Sequence, residues 1–451
     1  MLQPADEELI RRDRVLGATL GMLLDEAAFT AALQARLPSV TISSVRAVEV
    51  RYRPPTNCLV SYRVSIEGNE LDVYAKGYES SELVKAFDRP EDAAFALGGG
   101  AFSLRDTAVV VFFFPYDPEL RVLKRLHPPG SKFRERLLRR LLPNHTHLCK
   151  GQIQTLRYKP EQRFAAHLSD SSDAPAAFIK VYNEREFHKA LRATSFHSSG
   201  PLRIAGLLGR SDTQHILAFE WLSGPLLDDL LDHATTTLNL RLTGEALARL
   251  HAQSPAGLRQ QRQVGGALEE TANGLEALIP VKAGNFRFLA REISRRLANI
   301  ATPKSSIHGN FHAKHVLVTN EGVALVDLEK AAYGDPISDL GKFLAHLERK
   351  ALFDEMNTSQ VEAARTALLA GYERQSERTV SRKLLAIHTA AALMQLTHDP
   401  FRYRQPAWSS RTSAILDRVR ELLDCGSDKQ AGNSATYLST LLSHCYGQSS
   451  S

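Results

Sequence analysis

The chain has 451 residues, of which 43% are hydrophobic and 24% charged, and this composition is that of a soluble globular protein. The length favours two or three domains, each with an apolar interior of its own. Because no run of about 18 uncharged apolar residues occurs and residues 1–14 are rich in charge, we expect neither a membrane span nor a secretory signal. We therefore predict a cytoplasmic protein.

The charge balance is basic, with a net charge of +6 and an isoelectric point near 9.1. An anionic ligand such as a nucleotide would fit this balance, although Arg-rich segments such as residues 132–140 (KFRERLLRR) are better interpreted as the solvated face of a helix. No nucleic-acid-binding signature accompanies the charge, so no nucleic-acid partner is expected. The four cysteines, Cys58, Cys149, Cys425 and Cys445, lack the spacing of a zinc site, and we predict reduced thiols.

The N-terminal part begins with helical patterns and changes to strands. Residues 5–37 have apolar positions at helical spacing, which predicts two short helices. From Val45 the pattern alternates, which predicts antiparallel strands over residues 45–53, 58–66 and 70–78. The second hairpin is expected to turn at Glu67-Gly68-Asn69.

Two matching segments predict an internal repeat. Arg51-Tyr52-Arg53-Pro54 recurs as Arg157-Tyr158-Lys159-Pro160, and residues 74–78 (YAKGY) recur as 178–182 (FIKVY). Residues 82–86 fall on 186–190, and residues 107–115 fall opposite 213–221. Shared residues in one order over about 70 positions favour a duplicated unit. The alternative is two unrelated β-rich segments that share a Tyr-Pro turn.

Only the second copy is followed by a long helical region. Apolar residues at i, i+3 and i+4 predict helices over residues 244–253, 285–300, 361–375 and 383–396. Within this region, residues 306–340 (SIHGNFHAKHVLVTNEGVALVDLEKAAYGDPISDL) have the pattern of a loop, a strand, a turn and a second strand.

This loop segment has the spacing of a kinase catalytic loop, H-x-D-x-x-x-x-N followed by a later Asp, in which the first Asp orients the attacking hydroxyl and the Asn and later Asp bind metal. The residues here are His308, Asn310, His315 and Asp327. An amide cannot accept a proton as a carboxylate does, so Asn310 cannot act as a general base. His315 suits Mg²⁺ poorly, because this ion prefers oxygen ligands, whereas imidazole suits Mn²⁺ or Zn²⁺ better.

Asp327 ends a run of buried apolar residues, a position that is costly for a carboxylate unless it is paired or binds a cation. This predicts a metal ligand, and Glu329 lies two residues later on the same face, where it could assist.

Taken together, residues 150–348 resemble the aminoglycoside phosphotransferase and choline kinase family, the small-molecule branch of the protein-kinase-like fold. The segments that carry the resemblance are Lys180 in FIKVY, 216–224 (ILAFEWLSG), 246–251 (ALARLH), 308–318 (HGNFHAKHVLV), 326–329 (VDLE) and 334–340 (GDPISDL). The resemblance implies an α+β, protein-kinase-like bilobal fold, here preceded by an additional N-terminal N-lobe-like domain.

The resemblance also implies a nucleotide site. Lys180 would hold the ATP phosphates, and Glu186 would orient this lysine, with Glu184 as the alternative. Adenine would contact the backbone of a hinge formed by Phe219, Glu220, Trp221 and Leu222. The turn at residues 159–162 (KPEQ) has no glycine, and members of this family often lack a glycine-rich loop.

The remaining implied roles concern the metal and the loop. Asp327, His315 and Glu329 form the predicted metal set, with Mg²⁺ as the ion and Mn²⁺ as an alternative. His308 and Asp339 would brace the loop, and Asn310, Lys180 and Asp327 would be catalytic. A three-histidine cluster of His308, His312 and His315 is disfavoured, because the loop geometry that the family implies points these side chains apart.

We predict three segments along the chain. Residues 1–148 hold helices and the degenerate repeat as a cap or regulatory unit, residues 149–225 form the N-lobe and hinge, and residues 226–451 form the helical C-lobe. The helices after residue 350, including Arg402, Arg404 and Trp408, would shape the acceptor pocket.

Two functional hypotheses follow. The first is transfer of the ATP γ-phosphate to a hydroxyl of a small metabolite. The alternative is a pseudokinase that binds nucleotide or ligand and acts as a regulatory or scaffolding module without turnover.

Overall fold

The computed structural model describes residues 2–79, 99–170, 174–233, 235–298, 300 and 302–425. The helices are α1 (Pro4–Arg12), α2 (Gly17–Leu24), α3 (Glu26–Arg36), α4 (Leu123–Leu126), α5 (Lys132–Leu141), α6 (Glu184–Arg192), α7 (Thr236–His251), α8 (Val264–Leu278), α9 (Ala283–Ala298), α10 (Ile337–Leu352), α11 (Thr358–Ser376), α12 (Arg382–Gln395), α13 (Asp399–Arg402) and α14 (Trp408–Cys425). The strands are β1 (Ile42–Arg53), β2 (Asn57–Ile66), β3 (Asn69–Tyr78), β4 (Ala101–Leu104), β5 (Val109–Phe113), β6 (Ile153–Lys159), β7 (Arg163–Ser169), β8 (Pro175–Tyr182), β9 (Leu202–Arg203), β10 (Leu207–Ser211), β11 (Ile216–Glu220), β12 (Ser305–Ile307), β13 (Val316–Thr319), β14 (Gly322–Leu325) and β15 (Ala332–Gly334). The α+β class is confirmed.

The N-terminal segment has three helices where two were predicted. The additional break is at Asp25, whose side chain accepts a hydrogen bond from the backbone N–H of Ala27 and so caps the start of α3. The predicted hairpin turn is confirmed, with Glu67 and Gly68 at φ of 49° and 80° between β2 and β3. Such positive φ values are those of a tight two-residue β-turn.

The two five-stranded sheets have the same strand order. The first runs β1-β2-β3-β5-β4, and the second, read from β6, runs β6-β7-β8-β11-β10. Lys76 on β3 lies opposite Leu59, two residues into β2, and Lys180 on β8 lies opposite Ala165, two residues into β7. A duplicated unit requires such equivalence, and the duplication itself stays a prediction. Its downstream match at residues 82–86 lies outside the described residues.

The first sheet packs against the C-terminal helices. Its core, which includes the stacked rings of Phe29 and Tyr62, is continuous with buried residues of α8, α12 and α14. Polar contacts reinforce this interface, because the buried carboxylate of Asp6 accepts hydrogen bonds from Arg404 at 2.8 and 2.7 Å and from the indole of Trp408 at 3.0 Å. The N-terminal unit is therefore docked on the helical lobe.

The predicted boundary at residue 148 is misplaced. Helices α4 and α5 bury Leu123, Leu126, Leu138 and Leu141 in the same core as Phe164 and other residues of the second sheet. The opposite face of α5 exposes Arg136, Arg139 and Arg140, as predicted for a solvated helix face, whereas Arg134 is buried and donates a hydrogen bond to the carbonyl of Gly151. Because these helices cover the second sheet, the structural division falls before Leu120.

The helical lobe confirms the predicted helices, which correspond to α7, α9, α11 and α12. Helix α8 was not predicted, although Leu268, Ala272, Leu275 and Leu278 are buried along one face. The loop segment lies between short β pairs, with β12 antiparallel to β15 and β13 antiparallel to β14. These pairs fix the loop opposite the second sheet.

In the described part of the chain, no helix combines the length and the apolar character needed to cross a bilayer. Cys58 and Cys149 are buried free thiols, in agreement with the prediction for these two. Cys445 and the side chain of Cys425 lie outside the described residues.

Candidate active site

Lys180 lies near the end of β8, between β7 and β11, and is buried. Its ammonium group forms ion pairs with Asp327, at 2.8 Å, and with Glu329. Burial alone would lower the pKa of Lys180, but Glu329 and Asp327 raise it above its ordinary value. The lysine therefore stays charged and holds the second sheet to the segment after β14.

Asp327 lies just beyond β14 in the left-handed conformation, at φ of 65°. Its carboxylate accepts hydrogen bonds from Arg163 at 3.1 and 3.0 Å, in addition to the contact with Lys180. The ring Nε2 of His315 is 3.3 Å from the same carboxylate. Although burial raises the pKa of Asp327, Lys180 and Arg163 hold it well below its usual range.

Glu329 takes the role that the sequence assigned to Glu186. It pairs with Lys180, accepts a hydrogen bond from Tyr182 at 2.9 Å, and lies 3.1 Å from Arg163. Glu186 forms its ion pairs with Lys189 at 2.7 Å and Arg185 at 3.1 Å, so the predicted contact with Lys180 is wrong. The reason is local, because α6 begins just after β8 and Glu186, in the first turn of α6, pairs with basic residues of the same helix.

Arg163 was not predicted from the sequence as a site residue. It is the first residue of β7, immediately after the turn at residues 159–162, where the register with β8 aims it towards Asp327 and Glu329. Two carboxylates and two permanent cations thus form one compact network. The feature of the sequence that could have indicated this role is a basic residue at the start of the strand that follows the turn at residues 159–162.

The catalytic loop holds Asn310 beside two histidines. Its side-chain amide nitrogen is 3.5 Å from His312 Nε2 and from His315 Nδ1, and Lys330 Nζ is 3.4 Å from its Oδ1. His315 Nδ1 donates to the backbone carbonyl of Asn310 at 2.8 Å. Burial lowers the pKa of His315 to about 3, so this ring is neutral at physiological pH.

His308 and Asp339 lie where loop bracing requires them. Asp339 is fully buried and accepts hydrogen bonds from the backbone N–H groups of His308, at 2.7 Å, and Gly309, at 2.9 Å. His251 Nε2 lies 3.1 Å from the same carboxylate, and the His308 ring donates to the carbonyl of Val326 at 3.0 Å. At Gly309, with φ of 77°, a Cβ would lie 2.0 Å from the carbonyl oxygen of Lys330, so only glycine fits.

The predicted hinge begins in β11, which contains Phe219 and Glu220, and continues through Trp221 and Leu222. The Phe219 side chain lines a cavity of about 80 Å³ together with Lys180, Tyr182, Leu325 and Asp327. The Trp221 ring instead faces His167, with ring centroids 5.5 Å apart.

A larger cavity of about 680 Å³ adjoins the loop on the other side of Glu329, which lines both cavities. Gly309 and Asn310 form part of its wall. Arg402, Arg404 and Trp408, predicted to line an acceptor pocket, contact the N-terminal unit instead, because Arg402 pairs with Glu49 and the other two bind Asp6. The acceptor prediction for these three residues is wrong.

The donor set at Asp327 suits a hard cation only in part. Asp327 and Glu329 supply carboxylate oxygens of the kind that Mg²⁺ prefers, whereas His315 supplies a nitrogen. Within the described residues, no group of three or more His, Cys, Asp and Glu side chains is arranged to hold a metal ion. Asp327 and Glu329 are thus the residues whose chemistry suits Mg²⁺, and His315 is not.

Comparisons with solved structures give low similarity. A choline/ethanolamine kinase family protein from Mesorhizobium loti is 14% identical, with a TM-score of 0.45 over 64% of this chain and 93% of that one. A choline kinase from Cryptosporidium parvum is 12% identical, with a TM-score of 0.47 over 65% and 97%. A spectinomycin phosphotransferase solved with ADP and spectinomycin is 13% identical, with a TM-score of 0.43 over 66% and 98%.

No curated protein sequence matches the chain significantly. The sequence model of the Phosphotransferase enzyme family matches residues 123–383, from the first residue of α4 into the start of α12. This start agrees with the packing of α4 and α5 on the second sheet. Because the match spans more than half of the residues, the chain belongs to the phosphotransferase enzyme family.

Proposed function

We propose that the protein transfers the γ-phosphate of ATP to a hydroxyl group of a small molecule. The observation that carries this proposal is the contact of Lys180 with Asp327 at 2.8 Å, because these residues are 147 positions apart and match the phosphate-binding lysine and metal-binding Asp of the family. The large cavity beside Asn310 gives space for an acceptor.

The nucleotide would lie between the second sheet and the segment after β14. Lys180 and Arg163 would exchange part of their contact with Asp327 and Glu329 for contact with the phosphates, and the backbone of residues 219–222 would contact adenine. Asp327 and Glu329 would hold Mg²⁺, which supplies positive charge to the phosphate oxygens when it is bound.

Asn310 would position the acceptor rather than remove its proton. Its Oδ1 can accept a hydrogen bond from the acceptor hydroxyl, while Lys330 stays beside it. In the transfer, the bond from γ-phosphorus to the bridging oxygen breaks and ADP leaves, a bond from phosphorus to the acceptor oxygen forms, and the hydroxyl proton passes to an oxygen of the transferred phosphoryl group. This reaction depends mainly on positioning and electrostatics, so it proceeds without a carboxylate base, but slowly.

A second candidate function is nucleotide binding without turnover. Two features favour it, namely the amide at position 310 and the neutralisation of Asp327 and Glu329 by Lys180 and Arg163. Under this hypothesis ATP binds, but no acceptor is phosphorylated.

Two measurements separate the candidates. The first is a thermal-shift assay. ATP with Mg²⁺ or Mn²⁺, at 100 times its Kd, should stabilise the wild type by about 2.7 kcal/mol, and Asp327→Asn should reduce this stabilisation.

The second measurement is ATP consumption with a panel of hydroxylated metabolites. It tests transfer in the wild type and in Asn310→Asp, with the turn residue Asn320→Asp as the matched control. Turnover by the wild type supports the kinase, whereas turnover gained only with Asn310→Asp supports the second candidate. Absence of any nucleotide-dependent shift would overturn both.

A further inference from the structure

Most of the charged side chains that line the large cavity beside the catalytic loop are positive. Its basic side chains are Lys189, Arg192, Arg259, Arg262, Lys330 and Lys342. Among the described residues that line the cavity, Glu329 is the one carboxylate, and it is already bound to Lys180 and Arg163. The cavity is therefore strongly cationic next to the residue that would position the acceptor.

Two of the six cations are neutralised from outside the cavity. Lys189 pairs with Glu186 at 2.7 Å, and Arg262 pairs with Glu270 at 2.5 Å. Among the described residues, no carboxylate forms a salt bridge with any of the other four, Arg192, Arg259, Lys330 and Lys342. Within the part of the chain that the structure describes, these four charges lack a partner of opposite sign in direct contact.

Arg192 and Arg259 come from different parts of the chain, the end of α6 and the loop before α8, and yet line the same cavity. Burial and the nearby Arg259 lower the pKa of Arg192. Both guanidinium groups line this cavity, and their planar donors match the oxygens of phosphate or carboxylate.

Lys342 adds a third cation at the wall formed by the catalytic loop. It is partly buried on α10 and donates a hydrogen bond to the carbonyl oxygen of Gly309, one residue before Asn310. Lys330, whose ammonium is 3.4 Å from Asn310 Oδ1, stands on the same side. The positive charge thus extends from the cavity rim to the proposed transfer point.

We propose that the acceptor is an anionic molecule, a hydroxylated compound that also carries a phosphate or carboxylate group, and that Arg192, Arg259 and Lys342 bind this group. The proposal rests on the phosphotransferase function proposed above. An oxyanion in the cavity would offset the unpaired charges and leave a hydroxyl of the same molecule free to reach Asn310. A cationic acceptor would meet like charge at the six basic side chains of the wall.

The test uses glucose 6-phosphate, glucose and glucosamine as matched probes, and citrate as a carboxylate probe. Binding is measured by calorimetry on the full chain saturated with a non-hydrolysable ATP analogue, and ADP release is measured separately with ATP. We expect glucose 6-phosphate or citrate to bind at least 10-fold more tightly than glucose, and glucosamine to bind no better than glucose. Preference for one anion identifies the phosphate or the carboxylate as the recognised group.

The cavity pair is a double variant, Arg192→Gln with Arg259→Gln. The control pair is a second double variant, Arg136→Gln with Arg140→Gln, at two exposed arginines on α5. The cavity pair should lose about 10-fold in anion affinity while keeping nucleotide affinity, and the control pair should keep both. Circular dichroism checks that both variants fold, and the cavity single variants Arg192→Gln and Arg259→Gln replace the pair if it does not.

The outcomes distinguish this proposal from the proposed function. Anion binding that depends on the cavity arginines supports the proposed class of ligand, even if no ADP is released. Absence of ADP release would then overturn only the proposed phosphate transfer. ATP-dependent phosphorylation of glucose or glucosamine, with no binding of either anion, overturns the anionic acceptor and leaves the kinase intact. Anion binding that the cavity variants do not change also overturns the proposal.

Discussion

Lys76 donates hydrogen bonds from its ammonium group to both carboxylate oxygens of Glu161, at 3.0 and 2.9 Å. Lys76 has the same position in the first sheet that Lys180 has in the second. Glu161 lies in the turn that leads into Arg163, at φ of 60°. The lysine of the first sheet thus holds the loop that precedes the candidate nucleotide site.

Two further contacts from the N-terminal part hold the same turn. Arg51 donates to the carbonyl of Pro160 at 2.6 Å, and Asp117 accepts a hydrogen bond from the backbone N–H of Glu161 at 2.8 Å. The first sheet and the segment after it therefore restrain the turn from more than one side. This supports the predicted regulatory role for the N-terminal unit, which stays a prediction.

Lys76→Met should loosen this turn. We expect about 10-fold faster hydrogen exchange at residues 159–163 and a loss of about 1 kcal/mol in the free energy of unfolding, because both partners are partly shielded from water. Exchange is followed by mass spectrometry, with Arg46→Met on the exposed face of β1 as the control. Equal exchange in the two variants would show that the ion pair does not restrain the turn.

Lys180→Met should be strongly destabilising in the absence of nucleotide. The change leaves Glu329, whose pKa is already raised by burial, without its lysine partner, and we expect a loss of about 3 kcal/mol in urea unfolding. Adding Glu329→Gln should recover part of this loss, because it removes the unpaired buried charge. A double variant whose loss equals the sum of the two single losses would contradict the coupling.

Asp339→Asn should destabilise the loop. One carboxylate accepts from the N–H groups of His308 and Gly309 and contacts His251, so we expect a loss of about 3 kcal/mol, against under about 0.5 for the exposed Asp212→Asn. Although burial raises the pKa of Asp339, its hydrogen bonds and His251 keep it lowered. Its stabilisation is therefore present above the unfolded pKa of about 3.9 and is lost as pH falls through the lower folded value. The difference in the free energy of unfolding between wild type and Asp339→Asn, measured with urea, should become smaller only in strong acid. A difference that disappears near neutral pH would contradict this assignment.

Lys342 should make anion binding depend on pH. Burial lowers its pKa to about 8, while Asp339 raises it and Lys330 lowers it further. The nearby His346 has a pKa lowered to about 3 by burial and stays neutral at these pH values. The charge of Lys342 is lost as pH rises through about 8, so affinity for glucose 6-phosphate, already a dianion there, should fall several-fold between pH 7 and 9.

The matched variant is Lys342→Arg, which stays charged across this range. Calorimetry at pH 7, 8 and 9 should find its affinity nearly constant, with Lys342→Met weak throughout. If the wild type and Lys342→Arg lose affinity in parallel, the titrating group is elsewhere.

The sequence by itself determined most of the helices and strands, though not α8, and pointed to three residues of the candidate site. Alternation and helical spacing gave strands and helices with the right period, because those patterns record which face of each element is buried. Fixed local spacing in the loop motif pointed to Asn310 and Asp327, and the resemblance to the phosphotransferase family pointed to Lys180.

Only the tertiary structure decided which charges meet. Arg163 joins Asp327 across 164 positions, Glu329 replaces Glu186 as the partner of Lys180, and Arg404 binds Asp6 rather than an acceptor. The cationic cavity likewise collects side chains from α6, the loop before α8, the catalytic loop and α10. Periodicity shows which side of an element faces inward, but the partner of an ionised side chain depends on how distant elements pack, and no local pattern encodes that.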